Sequence, residues 1–177
     1  MAFFKNTDED ALDYRILRDG GISLYRNPRY LEEDLQWLQR SLYRCHSIDC
    51  TTWISKEAMH DSLRVALSFP EYYGNNLDAF RDCMSDLDVP DEGGVVIVLM
   101  SYDEYASSLG YVSIFSGVSE AQIILDILVE TSRYMLLTGK RLITLVQSND
   151  PLIRFENLGG LTAQWNSREW LNKDRGL

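Results

Sequence analysis

The chain is poor in the residues that most often carry chemistry. Two histidines, His46 and His60, and three cysteines, Cys45, Cys50 and Cys83, are spread over 177 residues. Neither set has zinc-ligand spacing, and no patterned nucleophile accompanies either histidine. An odd number of cysteines without a disulfide framework points to reduced thiols in a reducing compartment, of which the cytosol is the simplest. Cys83 lies on the flank of an apolar stripe, where a small buried thiol is the ordinary reading. Long apolar runs are missing as well. Nothing approaches membrane-spanning length, and the N-terminus offers only Ala2-Phe3-Phe4, too short for a signal-peptide core. Gly93-Gly94 and Gly159-Gly160 match no phosphate-binding loop or dinucleotide fingerprint and read as turns. Asp86, Asp88, Asp91 and Glu92 lack the glycine and terminal glutamate spacing of a calcium loop. The expectation is a chain with no cofactor and no obligatory metal.

Positive charge is also scarce. With 17 Lys and Arg against 27 Asp and Glu, the formal charge of −10 repels nucleic acids and anionic membranes and speeds encounter with a basic protein. Apolar residues make up 45% of the chain, enough to fill the core of one domain over residues 1–177. The sequence does not specify an oligomeric state.

The elements alternate as in an α/β fold. Residues 13–26 alternate apolar and polar types around Asp19-Gly20-Gly21 and predict a β-hairpin. Asn27-Pro28 makes a cap and first-turn pair for a helix through about Arg40, with Leu31, Leu35 and Leu38 on one stripe. A strand is expected over 42–49. Ser55 then caps a helix carrying Met59, Leu63 and Leu67, which Phe69-Pro70 stops. Gly74-Asn75-Asn76 forms a turn, with Asn76 capping a helix over 77–87. The glycine-bounded, β-branched run 95–100 reads as a buried strand of a mostly parallel sheet. A short helix over 102–109, a longer one over 119–137 and a last strand over 141–147 follow. Trp165 and Trp170 suggest that residues beyond Asn149 pack as a C-terminal appendage.

The helix over 77–87 separates its residue types by face. Leu77, Phe80, Met84 and Leu87 fall on one stripe, and Asp78, Asp82 and Asp86 on the opposite one. Between Glu71 and Glu92 stand seven acids and one base, Arg81. Tyr72 and Tyr73 precede this helix. Tyrosine gives large contact area at small entropic cost, and Gly74 permits close backbone approach by a partner. Aromatics beside clustered acids suit a cationic cleft. The plain alternative is a solvated helix face with half-packed tyrosines.

The run Phe69-Pro70-Glu71-Tyr72-Tyr73-Gly74-Asn75-Asn76-Leu77-Asp78-Ala79-Phe80-Arg81-Asp82-Cys83 resembles the signature of the barstar family. The order of elements over 42–147 is similar to that family as well. The resemblance implies a barstar-like three-stranded parallel sheet flanked by helices, in a cytoplasmic inhibitor of a ribonuclease. Residues 1–41, as hairpin and helix, and 148–177 would then be an N-terminal extension and a C-terminal appendage. The resemblance further implies that Asp82 enters the nuclease's phosphate-binding pocket. Tyr72, Gly74, Asn76 and Asp78 would contact its rim, with Tyr73 and Arg81 in the same partner-binding set. Arg81 stands where the founding inhibitor has tryptophan. The later helix, which supplies a further acid in the family, has Glu130 as its nearest substitute.

The leading expectation is a non-enzymatic protein that occludes the basic active site of a ribonuclease. A near neighbour is an immunity protein against a different secreted toxin within a toxin–antitoxin pair, which Arg81 favours. A scaffold or regulatory module on the same fold is a third reading. An acid–histidine hydrolase or transferase, the rival from another class, requires His46 or His60 to meet acids in a closed pocket.

Overall fold

The computed structural model describes residues 9–108 and 118–177. Leu109, the end of the expected short helix, and the Ala2-Phe3-Phe4 run lie outside the described residues. The elements are α1 (Leu12–Arg18), β1 (Ile22–Tyr25), α2 (Pro28–Arg40), β2 (Tyr43–Asp49), α3 (Lys56–Ala66), α4 (Leu77–Ser85), β3 (Gly94–Met100), α5 (Tyr102–Ser108), α6 (Glu120–Leu137), β4 (Leu142–Gln147) and β5 (Gln164–Trp165). Short 3₁₀ turns cover Cys50–Thr52 and Asn172–Arg175.

The named strands among the described residues all pair in parallel, and the sheet runs β2-β3-β4-β1-β5. It therefore has five strands rather than the expected three. The central three, β2, β3 and β4, are those foreseen over 42–147. The other two come from the flanking segments: Ile22 of β1 aligns with Thr144 of β4, and Ser23 with Gln164 of β5.

The expected hairpin over 13–26 is replaced by a helix and a single strand. Asp19-Gly20-Gly21 ends α1 instead of turning one strand back on another. Gly21 N–H bonds the carbonyl of Ile16 at 2.8 Å and Gly20 N–H that of Leu17 at 3.2 Å, closing the helix end with both glycines at positive φ. A Cβ on Gly21 would come within 2.1 Å of Ser132 Oγ, so α6 demands glycine there too. Positive backbone dihedrals suit a hairpin turn and a helix C-cap equally. Burial of Asp13, Ile16 and Leu17, spaced at three and four residues, decides for the helix.

The other helix starts follow their caps. Asn27 accepts from Arg29 N–H at 3.0 Å, Ser55 from Ala58 N–H at 3.1 Å, and Ser119 from Gln122 N–H at 3.1 Å.

The sheet has a core on each side. Along β3, Val95, Ile97 and Leu99 face one cluster with Met59, Leu63, Phe80, Met84 and Leu125, while Val96 and Val98 face another with Ile16, Leu17, Leu31 and Leu38. The period-two split explains why this strand is apolar throughout. Helices α3 to α6 cover one face, and α1 and α2 the other.

The C-terminal segment is tied down by polar anchors. Glu169, 1% exposed, accepts from Arg26 N–H at 3.0 Å and Asn27 N–H at 2.8 Å, at the start of α2. Arg175 is buried, stacks on Trp165 at 4.7 Å and donates to the Glu169 and Trp170 carbonyls.

Candidate partner-binding surface

Helix α4 shows the predicted separation of faces. Phe80 and Met84 are fully buried, with Leu77 and Leu87 packed at the edge of the same core. Asp78, Asp82 and Asp86 are exposed. Asp78 occupies the first turn, where the helix dipole favours an acid.

The loop before α4 points its two tyrosines in opposite directions. Tyr73 N–H bonds the Pro70 carbonyl at 3.0 Å, so Glu71 and Tyr72 form the tip of a tight turn. Tyr72 is 87% exposed and Tyr73 only 6%. The Tyr73 ring packs on Phe69 at 5.2 Å, and its hydroxyl meets His60 Nδ1 at 2.5 Å. Tyr73 thus belongs to the loop's anchor, and its side chain is not on the surface it was grouped with. His60 is fully buried, and burial lowers its pKa.

Asn76 holds the junction. Its Oδ1 accepts from Ala79 N–H at 2.8 Å, capping α4, while its Nδ2 donates to the Gly74 carbonyl at 3.0 Å. Tyr72, Gly74, Asn76, Asp78, Arg81 and Asp82 are all exposed on this one loop-and-helix surface.

Charges around α4 divide into tethered and open acids. Arg44 pairs with Asp88 at 3.3 Å, and Lys140 with Asp91 at 2.7 Å. Glu71, Asp78, Asp82, Asp86 and Glu92 have no ion pair among the described residues. Arg81 reaches across to Glu130 on α6, so its charge is neutralised from the next helix rather than by Asp82. The resemblance offered Glu130 only as the nearest substitute for a further acid on the later helix; the packing of α4 on α6 makes the pairing with Arg81.

Cys83 is half-buried, and burial together with Asp86 and Asp82 raises its pKa, the opposite of an activated nucleophile. His46 lies on edge strand β2, and His60 is sealed against Tyr73. Among the described residues neither meets an acid in an open pocket. Among the described residues no group of three or more His, Cys, Asp or Glu could hold a metal ion. None of the described helices is long and apolar enough to cross a membrane.

The family model described as "Barstar (barnase inhibitor)" matches residues 43–147, from the first residue of β2 to the last of β4. The chain belongs to the barstar family. It is also 38% identical over 64 residues to a Bacillus subtilis (strain 168) protein named "Putative ribonuclease inhibitor YrdF". That alignment covers 36% of this chain and 66% of the relative, so the chain spans just under two thirds of the curated relative it matches. Barstar proteins are inhibitors rather than enzymes, and the family match takes in the whole loop-and-α4 surface but neither β1 nor β5.

Proposed function

We propose that this protein is a cytoplasmic inhibitor that blocks the basic active site of a ribonuclease with the Tyr72–Asp82 surface. The observation that carries the proposal is the set of open acids on α4 beside an outward Tyr72, within the segment that matches the barstar family. Asp82 enters the phosphate-binding pocket of the nuclease, and Tyr72, Gly74, Asn76 and Asp78 contact its rim. Tyr73 contributes from behind by holding the turn. Carboxylates then stand where RNA phosphates would, and charge-assisted hydrogen bonds from arginine and lysine hold them. RNA is excluded by occlusion, with no bond made or broken and no cofactor. Residues 42–147 form the inhibitory core, and the whole of 1–177 acts as one domain.

Arg81 favours a second, narrower reading: an immunity protein against a toxin other than barnase. The Arg81–Glu130 pair puts a neutral polar bridge on the docking face where the founding inhibitor presents tryptophan. A partner matched to that bridge differs from one matched to an indole.

The test is Asp82→Ala. Asp82 is exposed and makes no ion pair among the described residues, so the variant folds as the wild type does. Loss of one member of a pair buried by docking costs about 3–5 kcal/mol, a weakening of roughly a hundred- to several thousandfold. Calorimetric titration with the nuclease reads it, and unchanged affinity in a folded variant would remove Asp82 from the mechanism.

A further inference from the structure

A cavity of about 860 Å³ lies on the α1–α2 side of the sheet, at its β1–β5 edge. Its lining comes from residues 12–34 and 161–170, so none of it falls within the barstar match over residues 43–147. Two segments far apart in sequence thus meet to enclose a space that the family core does not supply.

The cavity has an ordered construction. Leu12, Arg15, Ile16 and Asp19, spaced at three, four and seven residues, form the wall given by α1. Trp170 and Leu161 come from the C-terminal segment, and Ser23 of β1 from the sheet, whereas the Trp165 side chain packs on the opposite face beside Leu24. The Trp170 wall is held by the Glu169 bonds to the start of α2 and by Arg175, which donates to the Trp170 carbonyl.

Charge in the cavity is uneven. Arg18 is neutralised by Asp19 at 2.8 Å, and Arg168 by Glu33 and Asp34 at 2.6 and 2.7 Å. Arg15 has no such partner among the described residues, and its Nε is buried without a hydrogen bond. A half-buried guanidinium with no ion-pair partner among the described residues, beside the aliphatic Leu12 and Ile16 and the Trp170 indole, is matched by an anion on a flat apolar body.

We propose that this cavity is a binding site for a small amphiphilic organic acid, whose carboxylate or sulfonate pairs with Arg15 while its apolar body lies against Leu12, Ile16 and Trp170. The site is separate from the α4 surface and does not depend on the inhibitory reading.

The test uses the full chain and 8-anilinonaphthalene-1-sulfonate, with its uncharged analogue N-phenyl-1-naphthylamine as control and 1-naphthoate as competitor. The expected result is one saturable sulfonate site per chain, displaced by 1-naphthoate, with much weaker binding of the neutral analogue. Arg15→Gln should weaken the sulfonate roughly tenfold or more, as loss of a hydrogen bond to a charged group does. Arg15→Lys should restore part of it, and Trp170→Ala, at a residue 58% exposed, should weaken both probes without unfolding the chain. Amide NMR shifts on adding 1-naphthoate should gather at Ser23, Gln164 and Asn166. Equal binding of charged and neutral probes, undiminished binding by folded Arg15→Gln, or shifts confined to α4 would overturn the proposal.

Discussion

The Tyr73 hydroxyl and His60 Nδ1 lie 2.5 Å apart in the buried space between α3 and the loop before α4. This bond joins a core histidine to the turn that presents Tyr72. It turns one tyrosine of an adjacent pair inward so that the other is held outward. Tyr73→Phe removes the hydroxyl and leaves a buried imidazole nitrogen unpaired, at a cost of about 1–3 kcal/mol. Urea unfolding should show a lower midpoint with an unchanged slope, and an unchanged midpoint would mean that the bond adds nothing to the native state.

His60 also sets an acid limit on stability. Its folded pKa lies below the ordinary 6.5, with burial the largest cause. Lys56 lowers it further, whereas Glu120, Glu57 and Asp61 oppose the shift. The unfolded chain therefore binds the proton more readily. The neutral histidine's contribution is fully present above about pH 6.5 and is lost as pH falls through the folded pKa. Thermal unfolding of wild type against His60→Gln from pH 7.5 to 5 should show a steeper acid decline in the wild type. Parallel curves would contradict it.

Arg81 and Glu130 are both about half exposed, so breaking their pair changes stability by no more than about 1 kcal/mol. The consequence of Arg81→Ala lies in binding: a positive charge disappears from the surface proposed to meet a basic partner. Stopped-flow association with the ribonuclease should become faster at low salt, and the gain should shrink as salt is raised. Slower association at every ionic strength would instead show that Arg81 makes a favourable contact of its own.

Glu169 fastens the C-terminal segment to α2. Glu169→Ala strands the N–H groups of Arg26 and Asn27, together with the Asn166 side-chain amide that also bonds it, and should cost about 3 kcal/mol or more. Hydrogen exchange should show lost protection at both Asn27 and Asn166. Loss at Asn166 alone would mean that the segment is not coupled to α2.

The α/β order and its parallel central strands were legible because β3 and β4 are short apolar runs between helices with plain Asn and Ser caps. The acid face of α4 was legible for a similar reason: one helix carries its own periodicity. The contributions of β1 and β5 were not. β1 is only four residues long and β5 two, and each is defined by its pairing with distant chain rather than by a local pattern. Gly20-Gly21 misled because one backbone conformation serves both a hairpin and a helix end. Tyr73 shows the same limit within the site, since adjacent tyrosines are identical until the turn at Pro70 assigns them to opposite sides. The cavity left one trace, the Leu12, Arg15, Ile16 and Asp19 spacing, which the hairpin reading obscured.

The most direct measurement is titration of the purified chain into fluorogenic RNA cleavage, with a barnase-type ribonuclease and with any secreted ribonuclease encoded beside it. Activity of at least one enzyme should fall linearly to zero at one inhibitor per enzyme, while Asp82→Ala leaves it standing at the same ratio. Full cleavage by both enzymes in the presence of excess wild-type protein would contradict the inhibitory role.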